Sequence, residues 1–565
     1  MIERHEQRDG AEGTRSQAGR QEGGEYVIGV DVGTGSARAG LFDLGGRLMA
    51  SAVQPIQIFR PQPDHVEHSS RDIWQSVCHV VRACVAQAGI DPHRVTGIGF
   101  DATCSLVALD EADRPVTVSS SGDDDRNVIV WMDHRATAEA ETINATKHRV
   151  LEYVGGRISP EMEPPKLRWI KTHLPESWAR TRRFFDLADY LVYQACGADV
   201  RSLCTMVCKW TYLGHEGEHG SWDRSFFEAL DLADLFTPNR VGDRVQALGT
   251  RAGGVTAQAA RELGLVEGTD VAVGVIDAHA GALGSMAMSA GDASFDPAQI
   301  PHTLVLIAGT SSCHLAVSSE PRFVDGVWGP YFGALIPGWW LAEGGQSATG
   351  ALLEHTIDQH ACGAALRRDA EARGTTVYEL LNQRVAALSD AAGQAPLTKG
   401  LHVLPDFHGN RSPRADPHAR GAISGLSLDT SVDSLARLYL ATLQAIGYGT
   451  RHIIDAMSAS GFQIERIHAS GGGARNPLWL QEHADILGCA ILSAPDHEPV
   501  LLGAAALAAV ASGRHGTLVD AMAAMSPRAA VTTPRPAYAT FHARKYETFL
   551  RMYDDQRAYG RLMQG

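Results

Sequence analysis

"VIGVDVGTGSARAGLFD", Val27 to Asp43, carries the glycines of a phosphate-binding turn, and the residues after those glycines decide the fold. A dinucleotide fingerprint, G-x-G-x-x-G, leads from a strand into a helix. Gly33 and Gly35 supply its first two glycines, but the third position is Arg38. Downstream, Ala39, Leu41 and Leu44 lie among small or polar residues and "LGG" supplies a turn, the pattern of a second strand. Strand, glycine turn and strand make a hairpin. A phosphate bound here is therefore held by a geometry other than the Rossmann one.

The layout recurs in "TLVLIAGTSSCHLAVSS", Thr303 to Ser319, where a β-branched apolar run meets Gly309-Thr310-Ser311 and an alternating strand comes next. "MSAGDASFDPAQIPH" just before it is the natural boundary. The expected units are residues 25–290 and 303–565, behind a polar, Gly-rich tail, 1–24, that reads as disordered. Two similar hairpins a domain length apart suggest a duplicated fold with two loops facing across a cleft; chance likeness between two Gly-Thr turns is the competing reading. Between and after them strands alternate with helices. "RDIWQSVCHVVRACVAQAG" is an amphipathic helix, "VTGIGFDATCSLVALD" strand, bend and strand, and "IERIHASGGGARN" a strand entering a glycine turn. That alternation is α/β architecture, sheets covered by helices.

Bulk properties narrow the class. A chain of 565 residues exceeds one ordinary core. A net charge of −15 argues against a nucleic-acid partner, which calls for a basic patch. An anionic ligand is then held by local amides, helix N-termini, arginines or a metal ion. Nine cysteines without a C-x-x-C pair suit a reducing compartment, hence the cytoplasm. Cys204 and Cys208 are spaced i,i+4, but with no second ligand pair in the sequence they read as buried thiols. "PVLLGAAALAAVASG" is too short for a bilayer, which takes about 20 residues, and reads as a buried helix on a sheet; no membrane partner is expected.

Phosphoryl transfer needs amides around the phosphates, a divalent metal and a base for the acceptor hydroxyl. None of the lysines follows a glycine, so a Walker A loop is excluded. The cradle is then the pair of Gly-Thr turns: Gly33, Thr34, Gly35 and Ser36, with Gly309, Thr310 and Ser311. Asp31 is placed to hold Mg2+ through water, and Arg38 to neutralise phosphate charge; a turn-capping carboxylate and a surface charge are equally compatible with the loop. Asp277 in "VAVGVIDAHAGALGS" ends a buried strand, where a carboxylate is costly without work or a partner. It reads as the base, or as the N-cap of the next helix. His279 is a ligand or a hydrogen-bonded structural histidine.

Together these residues resemble the FGGY carbohydrate kinases, on the actin/hexokinase-like fold, and most of all their D-ribulokinase-type pentulose kinases. The stretches that carry the resemblance include "GFDATCSLVALD", "NVIVWMDHRA", "EMEPPKLRWIK", "RSLCTMVCKWTY", "AGTSSCH", "VWGPYFGALIPGWWLAEGGQSATG", "LPDFHGNRSPRADPHARG" and "ASGGGARNPLWLQEHADILG". The resemblance implies two ribonuclease-H-like domains flanking a cleft, ATP mainly on the second and sugar mainly on the first. It implies Asp277 as general base, Asp31 as the Mg2+ aspartate, and Thr34 and Arg38 at phosphate. Gly309, Thr310 and Ser311 form the second phosphate loop, with Gly472, Gly473 and Asn476 at the adenosine. Asp101, Thr103, Lys209 and Glu343 line the sugar pocket. Asp133, His134 and Arg135 are weaker substrate-side candidates, and Trp339 and Trp340 offer a stacking face or core packing. The expected reaction converts D-ribulose to D-ribulose 5-phosphate with ATP and Mg2+; L-ribulose, ribitol or xylulose are alternative substrates, and a non-catalytic nucleotide-binding regulator is the alternative of another class. A homodimer would be in keeping with the family.

Overall fold

All seven residues of the strand Tyr26–Val32 are buried, so its unbroken apolar run forms a central strand. In the computed structural model, which describes residues 24–291 and 293–564, it pairs antiparallel with Ser36–Asp43, and that strand with Leu48–Pro55. The hairpin expected from Arg38 is there. On its other side Tyr26–Val32 runs parallel to Val95–Ala102, beyond which come Asp270–Ala272 and, antiparallel at the edge, Arg251–Gly254. The short strand Val275–Ile276 pairs with the end of Val95–Ala102.

The second sheet repeats this order. Thr303–Ala308 pairs antiparallel with Ser312–Ser318, and that strand with Trp340–Gln346. On its other side Thr303–Ala308 runs parallel to Arg466–Ser470, which runs parallel to Ile491–Ser493. Both glycine turns thus sit at the same place in two copies of one topology, which sets aside chance likeness between them. Arg528–Thr532 pairs antiparallel with Ile491–Ser493 as Arg251–Gly254 pairs in the first sheet, and Ser289–Ala290 at one edge and Trp328–Phe332 at the other extend the second sheet. Except for Gly24, the tail expected over 1–24 lies outside the described residues.

Helices cover both sheets. Ser70–Ala88 turns Ile73, Val77, Val80, Val81 and Cys84 inward, capped by the Ser69 hydroxyl at one end and left-handed Gly89 at the other. The 28-residue helix Val432–Ala459 buries a stripe from Leu435 to Met457 on the other sheet.

The halves interlock through two helices rich in small residues. Pro499–Ala511, from the second half, lies on the first sheet, close enough that a Cβ at Gly29 would run into the Leu501 carbonyl oxygen. Asp277–Met286, from the first half, crosses it, and a Cβ at Gly503 would strike the Ala280 carbonyl oxygen. The run "LLGAAALAA" is therefore short-chained because two backbones touch across it. Gly503→Ala is expected to destabilise the fold by about 1–3 kcal/mol, the usual cost of overpacking. The check is a denaturant midpoint that falls at unchanged m-value.

Candidate active site

Three carboxylates stand at neighbouring strand ends. Asp31 is the last residue but one of Tyr26–Val32, Asp101 sits level with it on the parallel neighbour, and Asp277 comes directly after Val275–Ile276, whose Val275 pairs with Asp101. Ligands bind at such carboxyl ends in α/β sheets.

Asp277 is the first residue of its helix, and Ile276 takes the N-cap position. The cap reading of Asp277 therefore falls away. Its Oδ1 accepts the Ala278 N–H at 2.7 Å. Burial, then the charge of Asp31, raises its carboxyl to about 6, while the Ala278 N–H and Lys209 restrain the rise. It is thus ionised at neutral pH and a better proton acceptor than an exposed aspartate.

Asp101 is fully buried with no donor on either oxygen. Burial first, then Asp31 and Asp277, push its carboxyl well above the usual range. Expected in the sugar pocket, it stands beside Asp31 and Asp277, because its strand runs in register with that of Asp31. Two buried oxygens without donors beside a second carboxylate suit a divalent cation.

Arg38 donates from Nε to Asp31 Oδ2 at 2.8 Å and from Nη1 to Glu498 Oε2 at 3.0 Å. Glu498 also lies 3.5 Å from Arg475, so this chain of charges joins the first glycine turn to the third across the halves. The first turn closes through Gly33 N–H to Ser36 O (3.0 Å), and the Thr34 hydroxyl accepts from the Trp131 indole (3.0 Å). In the second, Gly309 N–H reaches Ser311 O at 2.9 Å. Gly35, Gly309, Thr310 and Gly472 are exposed to an incoming ligand, and Gly473 packs beside Ala308, bringing the third turn against the second.

Asn476, expected at the adenosine, has structural partners as well. Its Oδ1 caps the helix Pro477–Leu487 by accepting from Leu478 and Trp479, and also accepts from Asn382; its Nδ2 donates to the Tyr439 hydroxyl at 2.7 Å. Its Oδ1 takes three hydrogen bonds inside the protein, and the neighbouring Gly472 is exposed.

Lys209 is buried with its ammonium 4.6 Å from the Trp328 ring centre, so a surface ion pair is ruled out. Burial opposes its charge, yet Cys104, Glu343, Cys208 and Glu161 around it raise its pKa. Arg411 stacks on the same ring and reaches Glu161 Oε1 at 3.4 Å, and His134 Nε2 approaches the same oxygen at 3.6 Å. Burial alone would raise Glu161; Arg411, the His134 hydrogen bond and Lys209 outweigh it and hold it at about 2. Glu343 lies opposite Trp328 in the second sheet, and Thr103 turns its hydroxyl to Ser105 at 3.1 Å.

Among known families, residues 26–284 match the N-terminal domain, and residues 304–512 the C-terminal domain, of the FGGY family of carbohydrate kinases. The chain belongs to that family. An FGGY carbohydrate kinase domain-containing protein of Homo sapiens is 46% identical over 551 residues, 96% of this chain and 99% of that one. A D-ribulokinase of Saccharomyces cerevisiae is 40% identical over 516 residues, 86% of this chain and 72% of that one. Among solved structures, a xylulose kinase from Rhodospirillum rubrum shares the fold at a TM-score of 0.75, 24% identity, covering 95% of this chain and 99% of that one. This FGGY chain is a carbohydrate kinase, a phosphotransferase with an alcohol acceptor, whose substrates are a sugar and ATP.

Within the FGGY framework some expected residues prove structural. Arg135 is wholly buried between Asp133 (2.7 Å) and Glu67 (3.0 Å), an internal ion network that leaves only His134 of that trio beside Glu161. Trp340 packs on Phe332 and His215, and Trp339 packs against the core; the ring beside Lys209 is Trp328. Glu161, Trp328, Arg411 and Glu498 escaped the reading of single residues. The first three lie in stretches that carried the family resemblance, "EMEPPKLRWIK", "VWGPYF" and "LPDFHGNRSPR". Glu498 gave no local signal.

A base must be unprotonated to accept a proton. With Asp277 raised to about 6, kcat/KM is expected to be level above that pH and to fall about tenfold per unit below it. A pH–rate profile checks the sign: activity is lost on the acid side.

Proposed function

We propose that the chain transfers the γ-phosphoryl group of ATP to the terminal primary hydroxyl of D-ribulose, giving D-ribulose 5-phosphate and ADP. The observation that carries it is Asp277, a strand-end carboxylate raised to about 6 that feels Asp31 on one side and Lys209 and Glu343 on the other. The hydroxyl oxygen forms a bond to the γ-phosphorus as the bond to the β-bridging oxygen breaks. Asp277 receives the hydroxyl proton, and ADP leaves with the electron pair. The phosphoryl transition state is loose, so a carboxylate of modest basicity suffices.

Asp31, with Asp101 behind it, would hold Mg2+, which when bound neutralises phosphate charge. The amides of Gly33, Thr34, Gly35 and Ser36 and of Gly309, Thr310 and Ser311 cradle the phosphates, with Arg38 beside Asp31; Gly472 and Gly473 face the adenosine. Lys209, Glu343, Glu161 and Arg411 bind and orient the sugar, with Thr103 at the strand end below it. In this reading the first unit, 25–290, carries most of the sugar site and the second, 303–565, most of the nucleotide site. Closure of the two halves excludes water from the phosphoryl group. The identity of the substrate is supported by the yeast D-ribulokinase relative. Free thiols at all nine cysteines support a cytoplasmic setting, and no helix of the described residues is long and apolar enough to cross a membrane.

An ADP-release assay over D-ribulose, L-ribulose, xylulose and ribitol tests the substrate. D-ribulose is expected to give the highest kcat/KM; a higher value for any of the others overturns that choice.

A further inference from the structure

Behind the base, the helix Leu203–Lys209 meets the helix Asp277–Met286. Cys204 and Cys208 lie one turn apart on the first, and His279 lies two residues beyond Asp277 on the second. Their two sulfurs and an imidazole nitrogen all fall within 4.8 Å of one another. Among the described residues no other three thiol, imidazole or carboxylate groups come together this closely. Cys208 Sγ is 3.8 Å from His279 Nε2. In a tetrahedral zinc site, with Zn–S and Zn–N bonds of about 2.3 and 2.1 Å, the sulfur–nitrogen edge is about 3.6 Å. All three residues are buried, and His279 Nδ1 has no hydrogen-bond partner. Glu343 Oε2, also unpartnered, lies 3.8 Å from the same Nε2. The sequence supplied only the cysteine pair. The fold brings the third ligand from another helix.

We propose that Cys204, Cys208 and His279 bind one Zn2+, with the fourth position turned toward Glu343. Binding forms two sulfur–zinc bonds and one nitrogen–zinc bond and releases the two thiol protons to solvent, with no change of oxidation state. Two thiolates offset the charge of the ion. Soft sulfur ligands select zinc over Mg2+, so this site is chemically separate from the carboxylates around Asp31. The ion fastens the helix bearing Lys209 to the helix bearing Asp277, which makes it a positioning device for sugar and base. The inference does not depend on which sugar is phosphorylated.

The test uses the full chain, stripped of metal by chelator dialysis and titrated with Co2+. One equivalent per chain is expected to produce sulfur-to-cobalt charge-transfer absorption and the strong visible bands of tetrahedral cobalt, both lost on adding Zn2+. Cobalt held by the oxygen ligands of Asp31 gives no sulfur charge transfer, so the two sites are told apart. In the Cys204→Ala/Cys208→Ala double variant the charge-transfer absorption is expected to vanish while the circular dichroism stays native. Absence of the absorption in the unaltered chain overturns the proposal, as does its persistence in the double variant. The titration of the unaltered chain decides alone if the double variant fails to fold.

Discussion

Asp277→Asn is expected to lower kcat by about 100- to 10,000-fold, the usual worth of a positioned general base. Asparagine keeps the shape and the acceptor oxygen that holds the Ala278 N–H, but it cannot take a proton. KM for the sugar should change far less, since the group lost acts on the reacting hydroxyl. The variant should also be at least as stable as the parent. A carboxyl raised on folding from 3.8 to about 6 binds its proton more tightly folded than unfolded, so its ionisation opposes folding once the pH passes that range. Removing the charge relieves that opposition. A variant that folds normally, melts no lower and has lost its turnover isolates the chemistry. Full activity in Asp277→Asn would remove Asp277 from the mechanism.

The second large effect concerns the ion pair assigned to the proposed sugar pocket. Glu161 and Arg411 are each only about one-seventh exposed, from opposite halves of the chain, and Lys209 and His134 lean on the same carboxylate. Glu161→Gln leaves Arg411 and Lys209 with much of their charge unanswered. Hydrogen bonds to charged groups are worth about 1.5–3 kcal/mol, which is about 10- to 150-fold in kcat/KM. Arg411→Met is expected to cost a similar factor, mainly through KM for the sugar. Because the two residues share one interaction, the double variant should lose little more than either single one. Losses that simply multiply, or a kcat/KM within twofold of the parent, would mean the pair is not part of the pocket.

Much of the fold was legible because it rests on local signals. Arg38 in place of a third glycine excluded the Rossmann turn, and the strand after it completed a hairpin that the structure repeats at Thr303–Ser318. Asp31 and Asp277 could be singled out because each ends an apolar strand. Asp101 ended a strand as well, but its neighbours depend on parallel register with Tyr26–Val32, which no local pattern encodes. Asn476 was readable both as a ligand contact and as a helix cap, and the structure shows the cap. Glu161 with Arg411, and Arg38 with Glu498, join residues 250 and 460 positions apart. Such pairs exist only once the halves have interlocked through Gly503 and its crossing helix. His279 beside Cys204 and Cys208 is a contact within the first half, set by the packing of two helices about 70 residues apart in sequence that no local pattern encodes.

The most direct measurement of the central claim is phosphorus NMR of the product formed from ATP, Mg2+ and D-ribulose. The expected spectrum is that of a phosphate monoester coupled to two methylene protons of the terminal carbon, appearing in step with ADP and absent with Asp277→Asn. An ester on an internal hydroxyl, or ADP released with inorganic phosphate and no ester, would contradict it.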